Sequence, residues 1–227
     1  RGPTVTGVTT ETNLPTTCGP KTNVAWKVEM PAWTGSTPII WGEHIFLNVA
    51  DGTNISLWCL DRADGSTRWA RQLSDGDRRA RKQNMSSPSP VTNGEQVYVM
   101  TGTGKLVAFD FAGRQLWRRD IQESYGNFGL NWGYASSPLL VDDALYVQVI
   151  HGMRTDDQSY VLRIDRFTGE TVWRVERPSE ARRESPDSYT TPALLAYGSQ
   201  QELVITGGDV VTGHALDSGE ELWRAGG

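Results

Sequence analysis

The sequence predicts an all-β fold, a β-propeller of four-stranded antiparallel blades with about four blades present. The first observation behind this is a recurring unit that closes on tryptophan: "LWCLDRADGSTRW" at 57–69, "LVAFDFAGRQLW" at 106–117, "VLRIDRFTGETVW" at 161–173 and "GHALDSGEELW" at 213–223. The second is a proline anchor. "STPIIWGEHIFL", "PSPVTNGEQVYV" and "SSPLLVDDALYV" align without gaps through Pro38, Pro90 and Pro138, and "TTPALLAYGSQQELVI" follows at Pro192 with a longer turn. The anchors alternate, and the steps from Trp69 to Trp117, Trp173 and Trp223 are about 48, 56 and 50 residues, the range of propeller blades or solenoid repeats. The third is a composition of 24 Gly, 11 Pro and 9 Trp in 227 residues, which favours many short strands joined by tight turns.

Each element follows from local pattern. Within one unit, "TPIIW", "HIFLNV", "SLWCLDR" and "TRWARQ" alternate apolar and polar residues between Gly-, Asp- or Asn-bearing turns, so each reads as a strand. No helical periodicity of useful length occurs, which excludes ankyrin, tetratricopeptide and leucine-rich arrays. The Asp-to-Trp separation shortens in the second and fourth copies, which places the variation in the turn. The expected blades cover about 36–72, 86–120, 135–176 and 189–225, after an N-terminal extension at 1–23. Trp26, in "NVAWKVEMP", has the pattern of an outermost strand with no earlier strands before it. Residues 24–30 are therefore expected to complete a blade that the chain does not contain, within a ring of about seven or eight. The five tryptophans Trp26, Trp69, Trp117, Trp173 and Trp223 are expected to rivet neighbouring blades and to cover exposed sheet edges.

Composition narrows the partners. With 22 Lys plus Arg against 27 Asp plus Glu, the net charge of -5 offers no general attraction to nucleic acid. No apolar run approaches the ~20 residues of a membrane-spanning helix. The chain opens "RGPTVTGVTT", with neither an initiator Met nor the apolar core of a signal peptide, so any targeting segment is expected to have been removed or never included. Two cysteines, Cys18 and Cys59, permit one bridge or two free thiols.

Candidate site residues lie where propeller loops run long and varied, on the face carrying the blade-to-blade and second-to-third-strand connections. "ESYGNFGLNWGYASS" carries Tyr125, Phe128, Trp132 and Tyr134, suited either to a stacking or peptide-binding floor or to plugging the mouth of the ring. "HGMRTDDQ" contributes His151 and Arg154, beside Asp156 and Asp157, as a solvated strand-to-strand loop in preference to a metal or catalytic cluster, and "ERPSEARRESPDSYTTP" contributes Arg182, Arg183, Asp187 and Tyr189, either as ligand contacts or as ties between loops. The run "DGDRRARKQN" at 75–84 reads as a solvated linker, its acids reducing the local field, in preference to a patch for an anionic partner. No phosphate loop, HExxH helix or G-x-S-x-G elbow is present, so no catalytic residue and no metal ligand is assigned.

Asp, two or three residues, Thr/Ser-Gly-Glu, two residues and Trp, repeated with the proline anchor, resembles the pyrroloquinoline-quinone-type (PQQ-like) β-propeller repeat from about residue 24 onward. No Trp-Asp dipeptide supports a WD40 propeller, and the glycine doublet of kelch repeats occurs only at Gly207-Gly208 and the C-terminus. The resemblance implies one of two activities. The first is a non-enzymatic binding or scaffold module of the BamB-like branch, for protein or peptide partners in the periplasm or extracellular space, without a cofactor. The second is a quinone-dependent oxidoreductase that takes PQQ and calcium in a site completed by further blades. Neither adjacent cysteines nor a stretch matching the calcium ligands or the catalytic Asp of that branch is present, which favours the first. Further blades or another copy of the chain would close the ring.

Trp173→Ala is expected to lower stability by about 3–5 kcal/mol, as truncation of large buried aromatics does. Chemical denaturation measures it, and a loss below about 1 kcal/mol would place the ring on the surface.

Overall fold

A computed structural model describes residues 8, 10–79 and 81–226. Among these residues sixteen strands form four antiparallel sheets, each in chain order. Blade 1 comprises β1 (Ile39–Trp41), β2 (His44–Asp51), β3 (Asn54–Asp61) and β4 (Thr67–Ser74), and blade 2 comprises β5 (Val91–Thr92), β6 (Gln96–Met100), β7 (Lys105–Asp110) and β8 (Gln115–Asp120). One helical turn, α1 (Ile121–Tyr125), leads into blade 3: β9 (Leu139–Val141), β10 (Ala144–Val149), β11 (Tyr160–Asp165) and β12 (Thr171–Glu176). Blade 4 comprises β13 (Ala193–Tyr197), β14 (Gln200–Gly207), β15 (Val210–Ala215) and β16 (Glu221–Gly226).

The cores lie between sheets. Phe46, Leu57 and Cys59 of blade 1 cluster with Val97, Val107 and Phe109 of blade 2, while Tyr98 and Leu106 of blade 2 cluster with Leu145 and Leu162 of blade 3. Tyr146 and Val161 of blade 3 meet Leu203 and Ile205 of blade 4. Both faces of a central strand are thus buried, which accounts for unbroken buried runs such as β10.

The tryptophan contact is the same at every junction. Trp26 Nε1–H donates to the Arg62 carbonyl (2.9 Å), Trp69 to Phe111 (2.8 Å), Trp117 to Arg166 (2.8 Å) and Trp173 to Leu216 (3.1 Å). Each acceptor begins the turn before the outermost strand of the next blade. Each indole also covers that turn's glycine: Gly65, Gly113, Gly169 and Gly219 have φ between +74° and +80°. A Cβ on Gly169 would sit 2.6 Å from Trp117 Cε3. The glycine therefore supplies the left-handed backbone and leaves the space the indole fills.

A bulge aims these rings. In all four blades the register between third and fourth strands shifts just before the tryptophan, so that Arg68, Leu116, Val172 and Leu222 have no cross-strand partner. Such an extra residue bends the strand and re-aims its neighbour. It also explains why Leu116, Val172 and Leu222 are exposed although apolar.

The fourth repeat differs from its sequence alignment. Gly219 N–H donates to Ala215 O at 2.9 Å, as Gly169 does to Asp165, so Ala215 occupies the aspartate position and the turn has the full length of blades 1 and 3. Asp217 lies two residues later and is exposed. In blades 1 and 3 the aspartate closes its turn by accepting backbone N–H bonds, Asp61 from Ala63 and Asp165 from Phe167 and Thr168. These donors hold both carboxyls below the usual range.

Residues 24–30 enter no strand ladder among the described residues. Trp26, Val28 and Met30 instead pack on Ile45, Leu47, Val49 and Leu60 of blade 1, without a neighbouring strand to pair with. Cys18 is an exposed thiol and Cys59 a buried one, unbridged.

The innermost strands begin at the prolines, and the residue before each carries a hydroxyl. Thr37 N–H donates to Ser89 Oγ (2.8 Å), Ser89 N–H to Ser137 Oγ (2.9 Å) and Ser137 N–H to Thr191 Oγ1 (3.2 Å), a chain that crosses all four blades. The first three of these strands, with Thr191, line a concave groove of about 610 Å³ with Pro38, Ile40, Trp41, Val91 and Leu140 on its wall.

Gly169→Ala should destabilise the protein by roughly 2–4 kcal/mol, combining positive φ with displacement of Trp117. Gly198→Ala, also at positive φ but facing open space, should cost about 1 kcal/mol or less. Equal costs in chemical denaturation would show that the indole can yield.

Candidate functional site

The loops after β4, β8 and β12, together with the β10–β11 loop, gather on one face. Local chemistry fixes their starts. Asp120 caps α1 by accepting from the Gln122 and Glu123 N–H groups, and Gln122 then ties the loop at both ends, donating to Thr103 O (2.9 Å) and accepting from Phe128 N–H (2.8 Å).

The aromatic loop divides into buried and accessible parts. Tyr134, expected as a candidate contact, is only 1% exposed; its ring stacks on Phe128 at 4.6 Å and its hydroxyl donates to Gln148 O at 3.0 Å. Burial drives its phenol far above the ordinary range. Tyr134 thus belongs to the packing beneath the face, because a hydroxyl that finds a partner inside lets the whole ring be buried. Tyr125 packs on Tyr160 and donates to Thr171 Oγ1 (2.7 Å). Trp132 remains half-buried, with the Lys82 ammonium 5.4 Å from its ring centre.

His151, Arg154, Asp187 and Tyr189 are brought into one network. Asp187 Oδ1 accepts from the Gly152 and Met153 N–H groups (3.1 Å each), and Oδ2 accepts from Asn131 N–H (2.6 Å) and Tyr189 OH (3.3 Å). One carboxylate therefore joins three loops. Burial, then the charge of Asp187, pushes the Tyr189 phenol up to about 12. Arg154 forks onto Asn131 Oδ1 at 3.0 and 2.7 Å. His151 is 4% exposed, accepting from Gly129 N–H at Nδ1 (3.0 Å) and facing Gln158 O through Nε2 (3.3 Å). That pair of partners requires the neutral ring with its proton on Nε2. Arg182 and Arg183 lie outside the network, exposed on the 177–191 loop.

A further side chain has no counterpart in the sequence reading. Arg177 is fully buried and donates to Thr212 Oγ1 (3.0 Å), Gly207 O (2.6 Å) and Val210 O (2.7 Å), clamping blade 3 to the β14–β15 turn. Burial and the nearby Arg224 lower its pKa to about 10. Its position, four residues after Trp173, holds Leu73 and Ile121 in blades 1 and 2, so only the repeat alignment could have marked it.

Calcium does not fit these residues. A hard cation needs several convergent oxygens, whereas the Asp187 oxygens are engaged by N–H donors and no three His, Cys, Asp or Glu groups converge among the described residues.

The family model described as outer membrane protein assembly factor BamB matches residues 8–154. The chain belongs to this BamB-like family of PQQ-like repeats. No curated protein matches the sequence. Among solved structures, a europium-containing methanol dehydrogenase is similar at 14% identity and TM-score 0.60, covering 82% of this chain and 40% of that one. The quinohemoprotein alcohol dehydrogenase from Comamonas testosteroni is similar at 13% identity and TM-score 0.62, covering 88% and 36%. BamB from Moraxella catarrhalis gives 16% identity and TM-score 0.44, covering 89% and 67%. The likeness to the two dehydrogenases is one of fold, and the chain spans about two fifths of their length.

Burial lowers the pKa of His44, His151 and His214 below the ordinary value. A histidine kept neutral on folding binds fewer protons than the unfolded chain, so stability should be constant above about pH 6.5 and fall as pH drops below it. Asp77, raised by burial, acts in the opposite sense. Carboxylates such as Asp165, held low, add their losses only below about pH 4. Urea midpoints at pH 7.5 and 5.5 measure the effect, which equal or greater stability at pH 5.5 would refute.

Proposed function

We propose that this chain is a binding or scaffold module, a propeller segment that holds protein or peptide partners on its long-loop face outside the cytoplasm. The observation that carries the reading is the half-buried Trp132 in a loop whose other parts are locked: Phe128 and Tyr134 stack on each other, and Asp187 fixes three loops, accepting from the backbone of the adjacent Asn131. A rigid aromatic on a pre-ordered surface binds at low entropic cost. Arg182 and Arg183 add exposed guanidinium groups that suit carboxylate recognition. The description of the matching family as an outer membrane protein assembly factor supports both a protein partner and a location beyond the cytoplasm.

Closure of the ring belongs to the same proposal. The outer side of blade 4 exposes Leu195 and Tyr197, and among the described residues Trp223 has no neighbouring turn to dock on, donating instead to Glu202 Oε2 of its own sheet at 2.5 Å. Further blades or a second copy would cover this surface.

Trp132→Ala should weaken binding of a partner captured by crosslinking at this face by on the order of ten-fold or more, with the thermal midpoint unchanged. Titration of that partner against both proteins checks this, and equal affinity would count against the reading.

A further inference from the structure

The run at 75–84, which by sequence alone reads as a solvated linker in preference to an anionic-partner patch, is built into the long-loop face at its described residues, 75–79 and 81–84. Two consecutive side chains at its end reach in different directions. Gln83 Nε2 donates to Trp132 O (3.2 Å) and Gly133 O (2.5 Å), and Asn84 Nδ2 donates to Trp33 O (2.8 Å). The loop is thereby anchored between two tryptophan-bearing segments about fifty residues away on either side. Its cations then lie over the rings: the Arg79 guanidinium is 5.3 Å from the Trp33 centroid, and the Lys82 ammonium 5.4 Å from that of Trp132. Trp33 is 47% exposed, unusual for so large an apolar ring.

The charge of this loop is not cancelled locally. Arg78, Arg79, Arg81 and Lys82 are all exposed, and none forms an ion pair among the described residues. The acid expected to reduce their field, Asp77, is turned under the loop: its Oδ1 accepts from Met85 N–H at 2.8 Å and its Oδ2 from Asn84 Nδ2 at 3.3 Å. Asp75 lies by Gln72 Nε2 at 3.3 Å. What remains is a short basic ridge flanked by two indoles, on a chain whose net charge is -5.

Resting on the proposed binding role, we propose that this ridge docks an acidic, extended peptide segment of a partner protein. Its carboxylates would pair with the loop guanidinium and ammonium groups, and its apolar side chains would lie on Trp33 and Trp132. Guanidinium forks match carboxylates in shape, and aromatic rings under a cation give a flat apolar contact beside the charge. A long polyphosphate or an anionic membrane would meet the opposing field of the whole chain, whereas a short peptide meets chiefly the local one.

The test uses the intact protein and a fluorescein-labelled peptide of Glu-Glu-Phe repeats, read by fluorescence anisotropy. Its Gln-Gln-Phe analogue, phosphatidylglycerol vesicles and oligothymidine serve as competing arms. The acidic peptide should bind about ten-fold or more tighter than the neutral one, lose affinity as salt rises, and lose it in the Arg79→Glu/Lys82→Glu double variant and in Trp33→Ala. All three positions are exposed, and thermal midpoints report whether the variants fold. Equal binding of the neutral peptide, or indifference to charge reversal, would overturn the acidic specificity and leave the binding role standing. Tighter binding of vesicles or oligothymidine would overturn the peptide chemistry. Failure of both peptides to bind would overturn this inference, whereas the binding role falls only if Trp132→Ala leaves capture of the crosslinked partner unchanged.

Discussion

Each blade is held to the next by an indole lying on a glycine. A four-stranded sheet cannot cover its own two faces, so a blade is stable only against neighbours, and the contact that aligns the neighbours sets everything else. Here one ring gives a hydrogen bond to the carbonyl that opens the next blade's turn, and it buries the turn's glycine beneath its face. The two demands reinforce each other. The turn needs a left-handed residue, and only a residue without a side chain leaves room for the indole. The residue two beyond the tryptophan extends the cover, as Arg71 and Arg119 donate to the carbonyls of Gly113 and Gly169, while Val28 and Val175 pack on Gly65 and Gly219.

With the outer rim fixed in this way, the inner rim is set by hydroxyls. Proline at the start of each inner strand removes a backbone donor, and the Ser or Thr before it passes a hydrogen bond to the next blade. Asn48 and Gln148 add bonds between blades, to Pro88 O and Thr190 O. Loops that leave a frame held at both rims start from defined positions, and so one carboxylate, Asp187, suffices to join three of them. The long-loop face is consequently ordered before any partner arrives.

The burial of Tyr134 and His151 shows why residue type is a poor guide to accessibility in such loops. Tyrosine and histidine both occur at binding sites and both enter cores when their polar atoms find partners. Tyr134 finds Gln148 O, and His151 finds Gly129 N–H and Gln158 O. Trp132, in the same loop as Tyr134, stays half-buried, and Arg182 lies at the surface. Conversely, the 75–84 run reads by sequence as a linker in preference to a patch because its tryptophan partners, Trp33 and Trp132, stand about fifty residues to either side.

By itself the sequence determined the blade, its strands and four interlocking indoles, Trp26, Trp69, Trp117 and Trp173, though not Trp223, which bonds within its own sheet, because propeller packing is a nearest-neighbour interaction that recurs with the repeat and prints its period on the chain. It misplaced the frame of the fourth turn, where Ala215 and not Asp217 takes the aspartate position, since the backbone bond from Gly219 is indifferent to the side chain it closes on. Only the tertiary structure decided which loop residues are floor and which are surface, and that Arg177 is a buried clamp where sister blades use Leu73 and Ile121. Those outcomes depend on atoms contributed by other blades, whose distances no spacing along one strand encodes.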